Sequence, residues 1–229
     1  MTNLEIDKRI AKLKINGYLD LSDLLLTEIP VLSPELYDVK YLFLNDNRLE
    51  KIDVSLFTKL LVLDVSNNPI ETIDFLPENL EELVCKSCKI KHIVSHKKLK
   101  ILQCPDNLLE NLEEYTNLVD LQCERNKIKI INSYTCLEEL VCHNNPLNEI
   151  KYQPNLKHID CFKTNLSTID ADKLETIHFA YTQIKKLPYI KTLKNIVFNN
   201  GNIELSTDYK LKSYVEYDGN IDILFMTNQ

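Results

Sequence analysis

A short pattern of apolar residues recurs along almost the whole chain at steps of 18 to 21 residues. Three copies show it: "VKYLFLNDNRLEKI" from Val39, "LVDLQCERNKIKII" from Leu118 and the weaker "LKNIVFNNGNIEL" from Leu193. The shared pattern is LxxLxLxxNxLxxL, in which Ile, Val, Phe or Cys replaces Leu. Since a fixed period of this kind is the sequence signature of stacked repeats, the chain is expected to fold as a solenoid.

The alternation LxLx within each copy predicts a β-strand with one buried face. One strand cannot bury its face alone, so the copies must stack and share a continuous core. About ten residues then lead back to the next strand, which leaves little room for an α-helix. We therefore expect an α/β-type solenoid: an arc with an in-register parallel sheet on its concave side. Its convex side should be mostly non-helical, with extended segments, turns and short 3₁₀ pieces.

The ends of such a stack need covers, because a terminal repeat exposes core and strand edges. Thr2 and Glu5 form a capping box, and Ile6, Ile10 and Leu13 follow on one helical face, which predicts a short N-terminal capping helix. The sequence thus predicts a single domain over 1–229: a helical cap over 1–15, repeats over 16–205 and a C-terminal cap over 206–229.

The repeats resemble those of the leucine-rich repeat superfamily over roughly residues 16–224. The stretch "FLPENLEELVC" is similar to the short repeats of bacterial effector proteins, and composition and repeat length are similar to leucine-rich proteins of giant DNA viruses. The resemblance implies a non-enzymatic module that binds a protein partner on its concave face. An alternative is the substrate-recognition component of a ubiquitin-ligase-like effector system.

Seven cysteines include a CxxC pair, Cys85 and Cys88, which raises the question of a zinc or redox site. Cys88 occupies the Asn slot of the pattern, where Cys is a known substitute, and no second CxxC exists. Cys136 falls outside both positions and is the expected exposed thiol. Five cysteines share the third apolar position of their strands, which predicts small core residues; they are Cys85, Cys104, Cys123, Cys142 and Cys161.

Composition and charge narrow the function classes. The net charge of −7 argues against wrapping nucleic acid, which needs a concentrated Lys/Arg surface. No run of 18 apolar residues occurs, and the N-terminus lacks the features of a signal peptide. An odd number of cysteines fits a reducing compartment. We expect a monomeric cytoplasmic protein, located in the host cytoplasm if the source is viral.

In-register strands would align the variable positions into columns on the concave face. Near the N-terminus, Tyr41 and Phe43 form an apolar-aromatic patch. A second group toward the C-terminus combines aromatic and polar side chains, the usual make-up of a binding hot spot. The predicted partner-binding residues are the members of both groups, namely Tyr41, Phe43, His143, His158, Asp160, Phe162, His178 and Tyr181.

Asp160 and His178 should lie side by side, which raises acid–base or metal chemistry as an option. A surface Asp–His pair on an open face is the simpler interpretation, and a hydrolase using Asp160 and His178 is a remote alternative. No phosphate-binding, nucleophile-elbow or zinc-protease motif occurs in the sequence. We therefore expect no catalytic, cofactor-binding or metal residues.

Overall fold

The computed structural model describes residues 17–199, 203–205, 213–217 and 222–226. The structure divides into two compact units: residues 1–109 with 113–116, and residues 110–112 with 117–229. The predicted N-terminal capping helix over 1–15 lies outside the described residues. The single domain over 1–229 stays a prediction.

The first unit contains a parallel main sheet in which each repeat contributes one short strand. Its strands β1, β2, β3, β5 and β7 pair in that order. A separate two-stranded parallel sheet pairs β4 with β6, and a 3₁₀ helix spans Pro34–Asp38. The strands are β1 Tyr18–Asp20, β2 Tyr41–Phe43, β3 Val62–Asp64, β4 Thr72–Ile73, β5 Glu82–Val84, β6 His92–Ile93 and β7 Ile101–Gln103.

The second unit repeats this plan. Parallel pairing joins β8, β10, β12, β13, β14 and β15, while β9 pairs with β11 in a small separate sheet. The strands are β8 Asp120–Gln122, β9 Ile130–Ile131, β10 Glu139–Val141, β11 Glu149–Ile150, β12 His158–Asp160, β13 Thr176–His178, β14 Asn195–Asn199, β15 Ser213–Tyr217 and β16 Asp222–Met226.

Alternation along each three-residue strand places one side chain in the core and two outside, as the LxLx pattern predicts. The middle residue is buried throughout, for example Leu42 and Leu63 in the first unit and Ile159 and Ile177 in the second. Within each unit the pairing follows the predicted register, since Tyr41 lies opposite Val62 and Asp160 lies opposite His178. We call the solvent-facing side of each unit's main sheet its sheet face.

A turn of constant geometry follows the strand in most repeats. One residue adopts the left-handed conformation, with φ between 51° and 58°, and the next residue is the Asn of the repeat pattern or its substitute. With only three glycines in the chain, other residues must take this conformation, which favours Asn and Asp among non-glycine residues. The left-handed residues at this position are Asp46, Asn67, Ser87, Asp106, Arg125, Asn144, Lys163 and Tyr181.

The Asn side chains of these turns join consecutive repeats, and we call them the Asn ladder. Asn107 Nδ2 donates to the carbonyl of Cys104 at 3.1 Å and to the carbonyl of Cys85, one repeat earlier, at 2.7 Å. Its Oδ1 accepts the Ile90 amide at 3.0 Å. Asn68 and Asn145 repeat this arrangement, and all three are buried. Because the turns are buried, these bonds pair backbone groups that cannot reach water.

The described part of the predicted C-terminal cap contains one parallel and one antiparallel strand pairing. Strand β15 pairs parallel with β14, but β16 pairs antiparallel with β15, from Ser213 opposite Met226 to Tyr217 opposite Asp222. Four residues separate β15 from β16, too few for a parallel crossover. They begin with Asp218–Gly219, a dipeptide that favours hairpin turns.

The expectation of mostly non-helical segments between the main-sheet strands is confirmed for the described residues. The described residues contain no α-helix, and the segments that return to each strand are extended or turn-like. Helical structure among them is limited to the 3₁₀ helix. No helix in the described part of the chain has the length and apolarity needed to cross a membrane.

Candidate functional site

Two groups of aromatic residues lie on the sheet faces, one in each unit. We call His143, Asp160, Phe162, His178 and Tyr181 the C-terminal cluster. Asp160 and His178 end strands β12 and β13, and His143 and Phe162 lie two residues beyond the ends of β10 and β12. Since parallel strands lie about 4.8 Å apart, equivalent positions of consecutive repeats become direct neighbours.

Phe162 is the centre of the C-terminal cluster. Its ring centroid lies 5.2 Å from that of His178, tilted by 38°, and 5.3 Å from that of Tyr181 in an edge-to-face arrangement at 89°. His143 approaches from the other side, with centroids 6.4 Å apart at 77°. These distances fall in the range in which aromatic pairs attract each other beyond simple burial.

Asp160 and His178 form the polar part of the C-terminal cluster. Asp160 Oδ1 lies 3.3 Å from His178 Nδ1 and accepts the Phe162 amide at 3.1 Å. Burial acts to raise the pKa of Asp160, but the hydrogen bonds from His178 and Phe162, together with the electrostatic effect of the neighbouring histidines, place the pKa below its ordinary value. His178 Nε2 is buried and has no hydrogen-bond partner among the described residues.

The turn geometry positions Tyr181 and one further side chain, Lys163, at the C-terminal cluster. Tyr181 and Lys163 hold the left-handed turn position of their repeats, with φ of 55° and 51°. Lys163 Nζ lies 5.2 Å from the centroid of the Phe162 ring, a cation–π distance. Sequence reasoning missed Lys163, although its place before the Asn slot of the repeat would have located it beside Phe162.

His158 is the predicted site residue that stands apart. It begins β12, opposite Glu139 and Thr176, and is exposed. His158 thus belongs to the neighbouring column on the sheet face, two residues before Asp160. Its role in partner binding stays a prediction, as do those of the other site residues.

In the first unit, the predicted pair of Tyr41 and Phe43 is joined by Tyr18. The Tyr18 and Tyr41 rings stack with centroids 4.2 Å apart at 12°, and Tyr18 and Phe43 are nearly parallel at 6.1 Å. Tyr18 begins β1 and pairs in register with Tyr41, so its position in the first copy of the repeat would have revealed it. We call Tyr18, Tyr41 and Phe43 the aromatic row.

The cysteine column is core, as predicted. All five of its thiols are fully buried, and burial raises the pKa of Cys85, Cys142 and Cys161. Cys88 replaces the ladder Asn and donates from Sγ to the carbonyls of Val65 and Lys86, at 3.5 and 3.4 Å; burial raises its pKa to about 11. Among the residues that the structure describes, no group of three His, Cys, Asp or Glu side chains could hold a metal ion.

The thiol of Cys161 approaches His178 without forming a catalytic pair. Its Sγ donates to the backbone carbonyl of His178 at 3.4 Å rather than to the imidazole ring. The thiol is completely buried, and its raised pKa keeps it protonated and therefore unreactive. The contact is a core interaction.

Stacked parallel strands, a buried Asn ladder and steps of 18 to 21 residues give the described residues the architecture of a leucine-rich repeat solenoid. Residues 38–78 match the family model described as Leucine Rich repeats (2 copies). The match covers the end of the first repeat and the two repeats that follow, including part of the aromatic row.

Known proteins share this class. The chain is 36% identical, over 124 residues, to the protein phosphatase 1 regulatory inhibitor subunit PPP1R7 homolog of Arabidopsis thaliana; the match covers 48% of the chain and 38% of that protein. The leucine-rich repeat domain of APL1 has a TM-score of 0.68 at 25% identity, covering 79% of this chain and 53% of that one. The chain thus spans about half or less of the length of these relatives.

A bacterial structure shows the same fold at lower identity. The functional domain of InlJ from Listeria monocytogenes, described as including a cysteine ladder, has a TM-score of 0.64 at 19% identity, covering 87% of this chain and 53% of that one. Similarity to giant-virus proteins stays a prediction.

Proposed function

We propose that the chain is a non-enzymatic module that binds a protein partner through the sheet face of its second unit. This face is the counterpart of the concave face expected from the sequence. The observation that carries the proposal is the packing of three rings around Phe162, beside the Asp160–His178 pair. Aromatic anchors with a polar group that fixes orientation are typical of the residues that dominate binding energy in interfaces.

The chemistry of the C-terminal cluster favours binding over catalysis. His178 has an orienting carboxylate, but the neighbouring Cys161 thiol is buried and protonated. A hydrolase that works through a covalent intermediate would need a nucleophile within hydrogen-bond reach of the imidazole. Tyr181, by contrast, is 40% exposed and so can reach a partner. The remote hydrolase alternative predicts turnover of model esters or peptides that Asp160→Asn abolishes.

A double variant tests the proposal. The partner is captured from the natural source with the full chain and identified by mass spectrometry, and its affinity is then measured with purified proteins. We expect Phe162→Ala with Tyr181→Ala to weaken binding by about 2 kcal/mol or more. The matched control is Phe75→Ala with Tyr189→Ala, which removes two exposed aromatic rings outside the cluster. Equal affinities of the two folded double variants would refute the proposed site.

A second candidate function follows from the match to the phosphatase regulatory subunit. We infer that a protein phosphatase 1 catalytic subunit is a candidate partner, and the C-terminal cluster is the surface to test first. Purified catalytic subunit should bind the wild-type chain and lose phosphatase activity, whereas the Phe162→Ala, Tyr181→Ala variant should do neither. The ubiquitin-ligase alternative instead predicts that the captured partner becomes ubiquitinated in the presence of the chain.

A further inference from the structure

The sheet face of the first unit combines flat apolar rings with negative charge. Strands β1, β2 and β3 begin with Tyr18, Tyr41 and Val62, which lie side by side in register. Their third residues form a parallel row in which Phe43 lies between two aspartates, Asp20 on β1 and Asp64 on β3. The middle residues of the strands are buried leucines, so both rows face solvent.

The two aspartates are held in place by the backbone. Asp20 Oδ1 accepts the Ser22 amide at 3.0 Å, and Asp64 Oδ1 accepts the Ser66 amide at 2.9 Å. Strand spacing of about 4.8 Å puts one carboxylate on each side of the Phe43 ring. Anchored carboxylates need little reordering when a donor arrives, which lowers the entropic cost of binding.

Over strands β1 to β3 the charged side chains of this face are all acidic, whereas Lys86, two residues after β5, lies beside Ser66 at the edge of this region. The two positions that each strand exposes, together with the position two residues after the strand, carry two carboxylates and no cation; they are Tyr18, Asp20, Ser22, Tyr41, Phe43, Asn45, Val62, Asp64 and Ser66. Asp46 follows Asn45 and accepts hydrogen bonds from the Asn45 and Asn67 side chains, adding a third carboxylate. An anionic partner such as nucleic acid would be repelled here.

We propose that this face binds an arginine side chain from a basic segment of a protein partner. A guanidinium is planar and weakly hydrated, so it can stack on an aromatic ring while its N–H groups donate to a carboxylate. The row Asp20, Phe43, Asp64 offers both contacts within one strand spacing, and the stacked Tyr18 and Tyr41 rings extend the apolar surface for the alkyl part of the side chain.

This assignment goes beyond the proposed function. It defines a second site, in the first unit, that uses none of the residues of the C-terminal cluster. Lysine should bind less well than arginine, because an ammonium group is a strongly hydrated point charge that cannot stack. The preference for arginine therefore separates this site from a general attraction between a basic peptide and an acidic protein.

The test uses the full chain and three fluorescein-labelled peptides in which glycine alternates with arginine, lysine or glutamate. Binding is measured by fluorescence anisotropy at about 0.15 M salt, where exposed charges are well screened. We expect the arginine peptide to bind about five-fold more tightly than the lysine peptide, and the glutamate peptide not to bind. Equal binding of arginine and lysine peptides would overturn the proposal.

Variants locate the binding. Phe43→Leu keeps an apolar side chain on this half-buried position and removes the ring, and Asp64→Asn removes one charge; each should weaken arginine-peptide binding about five-fold. Phe75→Leu and Asp74→Asn make the same chemical changes at exposed positions of the same unit and should have less than about a two-fold effect. Equal losses from site and control variants would refute the site.

The Phe162→Ala, Tyr181→Ala variant separates this inference from the proposed function. Arginine-peptide binding should survive in it unchanged, whatever happens to the captured partner. Loss of peptide binding in that variant would place the peptide at the C-terminal cluster and overturn the first-unit site. Retained peptide binding together with undiminished partner affinity would instead refute the proposed function and leave the first-unit site intact.

Discussion

The sheet face of each unit carries an aspartate at the end of a strand, beside the aromatic row in the first unit and within the C-terminal cluster in the second, but the neighbours of the two aspartates differ. Asp64 and Asp160 both end a strand, and each accepts the amide two residues later, at 2.9 and 3.1 Å. The register neighbours of Asp64 are Phe43 and Val84, whereas those of Asp160 are Val141 and His178. One aspartate thus borders apolar side chains and the other an imidazole.

The difference separates what the repeat supplies from what each site adds. The repeat fixes the backbone of both aspartates through the same turn. The residue on the next strand then decides whether the carboxylate borders an apolar side chain or an imidazole ring. Substitutions in the turn should therefore lower the free energy of unfolding in either unit. Substitutions of the two aspartates should lower it by different amounts.

The largest loss of stability is expected from substitutions in the Asn ladder, which holds the turns of the repeats in place. Asn107→Ala removes donors to three carbonyls and the acceptor for the Ile90 amide, all buried. We expect a loss of about 3 kcal/mol in the free energy of unfolding, since buried groups are left unpaired. In the second unit, Thr164 donates to the Cys161 carbonyl, and Thr164→Ala should cost about 1 kcal/mol.

Urea denaturation followed by circular dichroism gives both values. The control is Asn79→Ala, which removes exposed hydrogen bonds to Thr58 and Lys98 and should cost under about 0.5 kcal/mol. A loss at Asn107 no larger than the loss at Asn79 would show that the ladder does not hold the turns.

The aspartates provide the second test. Asp160→Asn should lower stability at pH 7 by about 1 kcal/mol, because an amide cannot replace the charge beside His178. The pKa of Asp160 lies below its ordinary value, so its contribution is full above the unfolded pKa of about 3.9 and disappears as pH falls through the folded pKa.

The stability difference between wild type and Asp160→Asn should therefore narrow in acid, below about pH 4. Urea melts at several pH values between 7 and 2 measure it. Asp64→Asn keeps its turn bond and has no histidine neighbour, so we expect a cost at pH 7 of under about 0.5 kcal/mol. Equal costs for the two substitutions at pH 7 would remove the distinction between the sites.

Cys88 forms longer hydrogen bonds than the Asn residues of the first unit's ladder, so replacing it should raise the free energy of unfolding. Its thiol donates over 3.4 and 3.5 Å, whereas Asn68 donates over 2.9 Å to each of two carbonyls. Cys88→Asn should raise stability by about 1 kcal/mol, because an amide forms stronger hydrogen bonds than a thiol. The control is Cys88→Ser; a gain equal to that of Cys88→Asn would show that the amide is not needed.

The smallest effect concerns the left-handed turn residue, which is Ser87 in the first unit and already Asn144 in the second. Ser87→Asn should stabilise by about 0.5 kcal/mol, since Asn tolerates positive φ better than Ser. Differential scanning calorimetry would detect the rise in Tm. Ser95→Asn serves as the control at an exposed position without this conformation; equal shifts at the two sites would contradict the conformational explanation.

Much of the fold and part of the site follow from the spacing of residues in the sequence. In an in-register solenoid, residues one period apart are neighbours on adjacent strands. That rule predicts that the five cysteines of the column are buried, that Cys88 replaces a ladder Asn and that Asp160 lies beside His178. The structure confirms all three. The rule would also have placed Tyr18 beside Tyr41, had the first copy been included in the columns.

Other features were decided by the tertiary structure. The ring angles around Phe162 depend on how neighbouring side chains pack, and the alignment of repeat positions does not determine this packing. Lys163 reaches that ring because a left-handed turn redirects its side chain. The antiparallel pairing of β16 with β15 breaks the parallel pattern of the main sheet, and the period of the repeat does not predict it.

The sequence by itself thus determined which residues are buried and which repeats are adjacent, because burial and register follow from a period that every copy shares. Only the tertiary structure decided how side chains on the sheet faces meet. Those contacts involve the variable positions of the repeat, whose side-chain orientations depend on packing, hydrogen bonding and local backbone conformation rather than on spacing.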